Sequence, residues 1–210
     1  MKLLSASALA LMLASSQVFA AIELPKNFLP VPLVRQATNY SCGAAVLLSA
    51  LGYWQVYDWN ESSLYKDLET TPKDGTEPSK IVQVAIKFGL TAYYKERLTI
   101  KDLRKALKRG ETVILDLQAW PDEKAPKLPW ARTWEEGHYV ILVGIDETYA
   151  YVMDPSTLGS YAYLPITELL ERWHDYENRH GFVERDIHAG IFIKGKKKAR
   201  TVPASLVRLE

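Results

Sequence analysis

The sequence predicts an α+β fold, and two observations carry that prediction. Before residue 110, apolar residues recur at helical spacing in runs that close near glycines. After it, the runs become continuous and rich in β-branched and aromatic residues. Helices gathered first and strands later are segregated elements, not the alternation of a parallel α/β protein. No internal repeat or low-complexity linker interrupts the chain, so one domain is expected.

The elements follow in order. The apolar-rich stretch 44–51 reads as a buried helix, with Gly52 as its C-terminal glycine. Asn60 is placed to cap a short helix over 61–68, and residues 71–76 read as a loop. Ile81, Val82, Ala85 and Ile86 share a helical face that ends at Gly89. Thr99 and Asp102 form a capping pair for a helix over 100–109, with Gly110 beyond its end. Strands are expected over 111–117, 139–145, 149–153 and 160–164; the second and third read as a hairpin around Asp146-Glu147. A helix over 167–174 and a last strand over 187–193 complete the pattern. Residues 120–134 hold three prolines and three tryptophans without any period, and read as a long loop of the kind that often serves function.

The first 20 residues read as an address. Lys2 gives a positive start, residues 3–14 are an apolar run, and Val18-Phe19-Ala20 supplies a signal-peptidase site. A membrane anchor needs about 20 apolar residues, and this run is shorter and broken by Ser15, Ser16 and Gln17. The expectation is a signal peptide over 1–20, a mature domain over 21–210, and export to a periplasm or the extracellular space with no membrane span. Basic and acidic residues number 26 and 25, a balance that excludes general nucleic-acid affinity. The cluster Lys194, Lys196, Lys197, Lys198 and Arg200 then reads as a solvated tail. A monomer is expected.

The single cysteine, Cys42, is unusual in an exported chain, where thiols are normally paired. It lies where the first helix begins. Backbone N–H groups there are unpaired and carry partial positive charge, which stabilises a thiolate. Gly43 removes a side chain beside the sulfur and leaves room for a substrate carbonyl. Gln36 stands six residues upstream; its amide N–H and the Cys42 backbone N–H together suit the oxyanion of a tetrahedral intermediate. Taken singly, Cys42 also fits a small core residue and Gln36 a surface loop residue; together they form a stricter pattern.

A thiol nucleophile needs a base, and the chain has four histidines. Gly137-His138 opens the buried strand, where a base is held firmly. His174 falls in the expected last helix in a solvated or packing role, His180 in a polar turn, and His188 at the start of the last strand as the competitor. These histidines and the one cysteine lack the short ligand pairs of a zinc site, and no metal or other cofactor is expected. The hairpin would bring Asp154, in Asp154-Pro155-Ser156, alongside His138 to fix the tautomer of the imidazole.

With Cys42, His138 and Asp154 in that order, the chain resembles the papain-like cysteine peptidases. Residues 36–45, Gly137-His138-Tyr139-Val140 and Val152-Met153-Asp154-Pro155 resemble the bacteriocin-processing, or double-glycine, branch. The resemblance spans about residues 31–193 and implies a helical lobe packed on an antiparallel sheet, with the active site between them. It implies Cys42 as nucleophile, His138 as general base, Asp154 as the residue that orients the base, and Gln36 in the oxyanion hole. It also implies peptide or protein substrates, classically leader peptides cut after Gly-Gly. The signal peptide, and the lack of a Walker motif or membrane span in the sequence, match stand-alone secreted relatives rather than transporter front ends. Ser41 stands where many members have an acidic residue before the cysteine. Two other functions use the same residues: a cell-wall amidase or transpeptidase, which passes the acyl-thioester to a different acceptor, and an idle peptide-binding module. Gly43, Trp120 and Gly137 are the candidate cleft residues. Trp120, Trp130 and Trp134 either wall the cleft or cap the core edge.

Overall fold

The computed structural model describes residues 23–26, 28–120, 129–179, 182–197 and 206–209. The expected signal peptide over 1–20, the 121–128 part of the long loop, His180, and Lys198 and Arg200 of the basic cluster lie outside these residues.

The chain opens with α1 (Cys42–Tyr53), a 3-10 turn (Glu61–Leu64), α2 (Tyr65–Leu68) and α3 (Pro78–Lys87). Strand β1 (Thr91–Lys95) and α4 (Ile100–Lys108) follow, then β2 (Thr112–Gln118), a 3-10 turn (Trp130–Arg132), β3 (Gly137–Ile145), β4 (Tyr149–Met153) and β5 (Tyr161–Pro165). Helix α5 (Ile166–Arg172) precedes β6 (His174–Arg179), β7 (Phe182–Ile187), β8 (Gly190–Lys194) and β9 (Leu206–Arg208). Among the described residues the strands form a seven-stranded sheet in the order β1-β8-β2-β3-β4-β5-β9 and a separate β6–β7 ribbon. All pairings in the large sheet are antiparallel except β5–β9.

Two apolar cores result from the alternation of side chains across the sheet. On one face Ile114, Tyr139, Ile141, Val143 and Met153 pack with α1, α2 and α3; on the other Val113, Leu115, Val140, Leu142 and Val152 pack with α4 and α5. Helix α1 is buried nearly all round, as its apolar sequence requires. Its buried Ser49 Oγ donates to Pro32 O at 2.6 Å.

Most expected elements appear. Asn60 accepts a hydrogen bond from Ser63 N–H as the cap of its turn, which is 3-10 before it becomes α. Thr99 and Asp102 form a complete capping box. Gly52, expected beyond α1, lies inside it; the helix runs to Tyr53, and a Cβ at Gly52 would meet Pro32 at 3.4 Å. The helix expected over 167–174 stops at Arg172, because the Trp173 indole is fully buried and donates to Ala189 O, and His174 starts β6. The strand expected over 187–193 is two elements: Ile187 closes β7, and His188 turns the chain with a φ of 51°. Strands β1, β6, β7 and β9 were not expected. The first three are rich in polar and charged residues, which mutes hydrophobic periodicity, and β9 is only three residues long.

Candidate active site

The site is assembled where α1 begins and where β3 and β4 meet. Cys42 is the first residue of α1 and is half-buried. Ser41 precedes the helix but does not cap it; its hydroxyl instead accepts Thr38 N–H at 3.1 Å within the loop. The first N–H groups of α1 are therefore not taken by that side chain, which leaves them available to a negative charge.

His138 is the second residue of β3 and only 1% exposed. Its Nε2–H donates to Asp154 Oδ1 at 2.6 Å. The β3–β4 register explains the meeting: Ile141 pairs with Met153, which sets Asp154 diagonally across from His138 on the same face of the sheet. With Nε2 on Asp154, Nδ1 is the nitrogen left to face Cys42, which lies near enough to shift the titration of the ring. Burial pushes the imidazole pKa down. The Asp154 hydrogen bond and the hydrogen bond and charge of Cys42 outweigh burial and raise it to about 9.

Asp154 is held from all sides. Oδ1 accepts Ser156 N–H at 3.0 Å, and Oδ2 accepts the Ser156 and Thr157 hydroxyls at 2.6 and 2.7 Å. Burial would raise its pKa, but the imidazole and these donors lower it to about 2. The Asp154-Pro-Ser-Thr157 run is an Asx-turn signature readable in the sequence, although only the structure shows that it orients the carboxylate toward His138.

Gln36 joins the same site through the backbone. Its N–H donates to Pro155 O at 2.8 Å, next to Asp154. Its Nε2 donates to Thr38 O at 2.7 Å, which uses one of two amide hydrogens; Oε1 is buried without a hydrogen-bond partner. The structure thus links Gln36 to the Asp154 turn, Asp154 to His138, and His138 to Cys42.

The cleft candidates divide. Trp120 packs its ring 4.3 Å from that of His138 while 37% exposed, with a φ of 52°. Trp130 instead stacks on the Arg172 guanidinium at 3.6 Å, and Trp134 packs on His174 at 4.3 Å and beneath Arg185. Gly43 has a packing reason as well: a Cβ there would lie 2.7 Å from Thr76 Cβ. A Cβ at Gly137 would fall 2.1 Å from Asp175 Oδ2. The other two described histidines have partners elsewhere. His174 is buried, its Nε2 on Thr133 O at 2.7 Å, which is the packing role; His188 stacks on Trp173 at 4.8 Å.

Sequence reasoning missed an acidic group behind β3. Asp175 on β6 is paired directly opposite Asp186 on β7 and lies beside Asp116 on β2. Gln118 Nε2 donates to Asp175 Oδ1 at 3.1 Å. Burial first, and then the Asp186 charge, push Asp175 up to about 6 against the hydrogen bonds it receives. Strands β6 and β7 carry no apolar alternation to mark them in the sequence, so the pairing shows only in their register. No set of three or more His, Cys, Asp or Glu among the described residues is arranged to hold a metal. No helix among them is long and apolar enough to cross a membrane.

A helical lobe packed on an antiparallel sheet is the architecture of papain-like peptidase domains. A sequence model of the Peptidase_C39 like family matches residues 28–180, and the chain belongs to that family. Three solved structures share the fold, each with a TM-score of 0.55. A double glycine motif protease from an AMS/PCAT transporter, in complex with the leader peptide, is 19% identical over 82% of this chain and 97% of that one. The peptidase domain of Streptococcus ComA, a bi-functional ABC transporter involved in quorum sensing, is 18% identical over 78% and 98%. A C39-like peptidase from Bacillus anthracis is 17% identical over 83% and 98%. No protein of curated function matches the chain.

Proposed function

We propose that this chain is an exported cysteine peptidase in which Cys42 attacks a peptide carbonyl, His138 moves the proton and Asp154 holds the imidazole. The observation that carries the reading is the buried His138, bonded at 2.6 Å to Asp154 through Nε2 and neighboured by Cys42 on its other side. His138, raised to about 9, is a base strong enough to take the Cys42 proton and stand as an imidazolium beside the thiolate so formed. The thiolate adds to the scissile carbonyl, and the C=O electrons move onto oxygen. The Gln36 amide and the Cys42 backbone N–H stabilise that oxyanion. Collapse expels the amine, which takes the proton from His138 and leaves an acyl-thioester on Cys42. His138, now neutral, takes a proton from water; the resulting hydroxide adds to the thioester and expels the Cys42 thiolate as the acid leaves, and the proton on His138 returns to the sulfur.

A peptide substrate is supported by family membership and by the leader peptide bound to the related transporter protease. Export is supported by the character of residues 1–20. Trp120, against His138 and partly exposed, is the proposed cleft wall. The test is a mixed peptide library incubated with wild type and Cys42→Ala, both first shown to be folded. New peptide termini are expected only with the wild type, together with a thioester adduct on Cys42 after acid quench. Equal cleavage by both proteins would exclude Cys42. Transfer of the acyl group to an added amine, in preference to water, would favour the transpeptidase chemistry.

A further inference from the structure

The loop that carries Gln36 is tied down by a residue remote in sequence. Glu61 opens the 3-10 turn before α2 and is only 6% exposed. A buried carboxylate is costly unless it is hydrogen-bonded, and both oxygens here are used. Oε2 accepts Ala37 N–H at 3.0 Å, and Oε1 accepts the Tyr65 hydroxyl at 2.6 Å. Burial, and behind it the Glu61 hydrogen bond, hold the Tyr65 phenol above its ordinary range, so it remains a donor.

The position of that first bond matters. Ala37 N–H belongs to the peptide plane just after the Gln36 Cα. The plane just before it supplies Gln36 N–H, which donates to Pro155 O at 2.8 Å. The two planes are therefore pinned separately, one to the helical lobe and one to the Asp154 turn. Fixing both planes fixes φ and ψ of Gln36, and with them the direction in which its side chain leaves the backbone. The bond from Ala37 ends on a carboxylate, and charge-assisted bonds are about twice as strong as neutral ones. We infer that Glu61 is a positioning residue, clamping the Gln36 loop from the helical lobe so that the Gln36 amide meets the oxyanion. The inference rests on the role proposed above for Gln36.

Two probes of Cys42 separate positioning from general stability. Acylation by p-nitrophenyl acetate builds an oxyanion; alkylation by iodoacetamide does not. Glu61→Ala is expected to slow acylation ~10- to 100-fold, the scale of an angstrom-level misplacement, and to change alkylation by less than ~2-fold. In a Gln36→Ala background the same substitution is expected to cost nothing more, because two residues acting through one group are not additive. Glu61→Gln is expected to restore acylation: its amide oxygen accepts Ala37 N–H, and its NH2 donates to the Tyr65 oxygen. Glu61→Asp keeps the charge but falls a methylene short, and should lie between. If Glu61→Ala does not fold, Glu61→Asp decides, with slowed acylation and normal alkylation supporting the clamp. Parallel loss of both rates would mean a structural role and overturn the inference, as would full additivity with Gln36→Ala. Normal acylation in Glu61→Ala would overturn it while leaving the Cys42 chemistry standing. Equal acylation of wild type and Cys42→Ala would instead remove the thiol chemistry, and the clamp with it.

Discussion

Replacing Asp154 with Asn removes the charge behind His138 and changes little else. Asn is isosteric, its Oδ1 can still accept from His138 and Ser156 N–H, and its NH2 can donate to the Ser156 and Thr157 hydroxyls that now donate to Oδ2. The imidazole lies 2.6 Å from the carboxylate and is almost fully buried, so bulk water screens the pair little. Removing an opposite charge at that range lowers a pKa by roughly one to three pH units, or about 1.4–4 kcal/mol. From its present value of about 9, the His138 titration should fall into the range of about 6 to 8. The assay is the pH profile of kcat/KM on a cleaved peptide, with the imidazole followed directly by NMR. The upper limb should move from about 9 in the wild type to lower pH in Asp154→Asn, and kcat should fall on the order of a hundred- to ten-thousandfold. Stability should follow the same pair. A histidine raised in the folded state contributes stability that is complete below its unfolded pKa and is lost as pH rises through about 9. Asp154→Asn should largely remove that alkaline loss. An unchanged upper limb with a normal NMR titration would refute the assignment of Asp154.

Three further outcomes test other parts of the structure. His138→Ala should abolish peptide cleavage while His188→Ala retains most of it, since His188 stacks on Trp173 away from Cys42; reversed effects would move the base to His188. Gly43→Ala should destabilise the fold by about 1–3 kcal/mol in denaturant unfolding, as overpacking does, because its Cβ would meet Thr76 Cβ at 2.7 Å; in a Thr76→Gly background, which lacks that Cβ, the same substitution should cost less, and an equal cost would mean that the strain lies elsewhere. Asp175 is raised to about 6, so the folded chain keeps a proton that the unfolded chain has already released, and stability should fall as pH rises from about 4 through about 6. Asp175→Asn, neutral throughout, should flatten that slope in a series of thermal melts, and an unchanged slope would contradict the buried pairing.

The order of the elements that build the site, and the groups proposed to react in it, were legible in the sequence. One thiol at the start of an apolar helix, and one histidine opening an apolar strand, are local patterns. Local geometry already supplies the helix N–H groups and the rigid strand that such residues need. The hairpin was legible for the same reason, since a short turn fixes register and register brings Asp154 beside His138. Polar strands were not legible. Strands β6 and β7 lack the apolar alternation that marks a strand, and His174 looked helical because nothing local announced that a buried Trp173 would end α5. Long-range partners were equally invisible. Glu61 reaches Ala37 across 24 residues, Thr76 fills the space beside Gly43, and Asp175, from a strand far along the chain, occupies the space over Gly137. Each is a contact between side chains or backbone that only tertiary packing brings within a few angstroms. A hydrogen bond or a steric limit acts over that distance and leaves no periodic trace in the sequence.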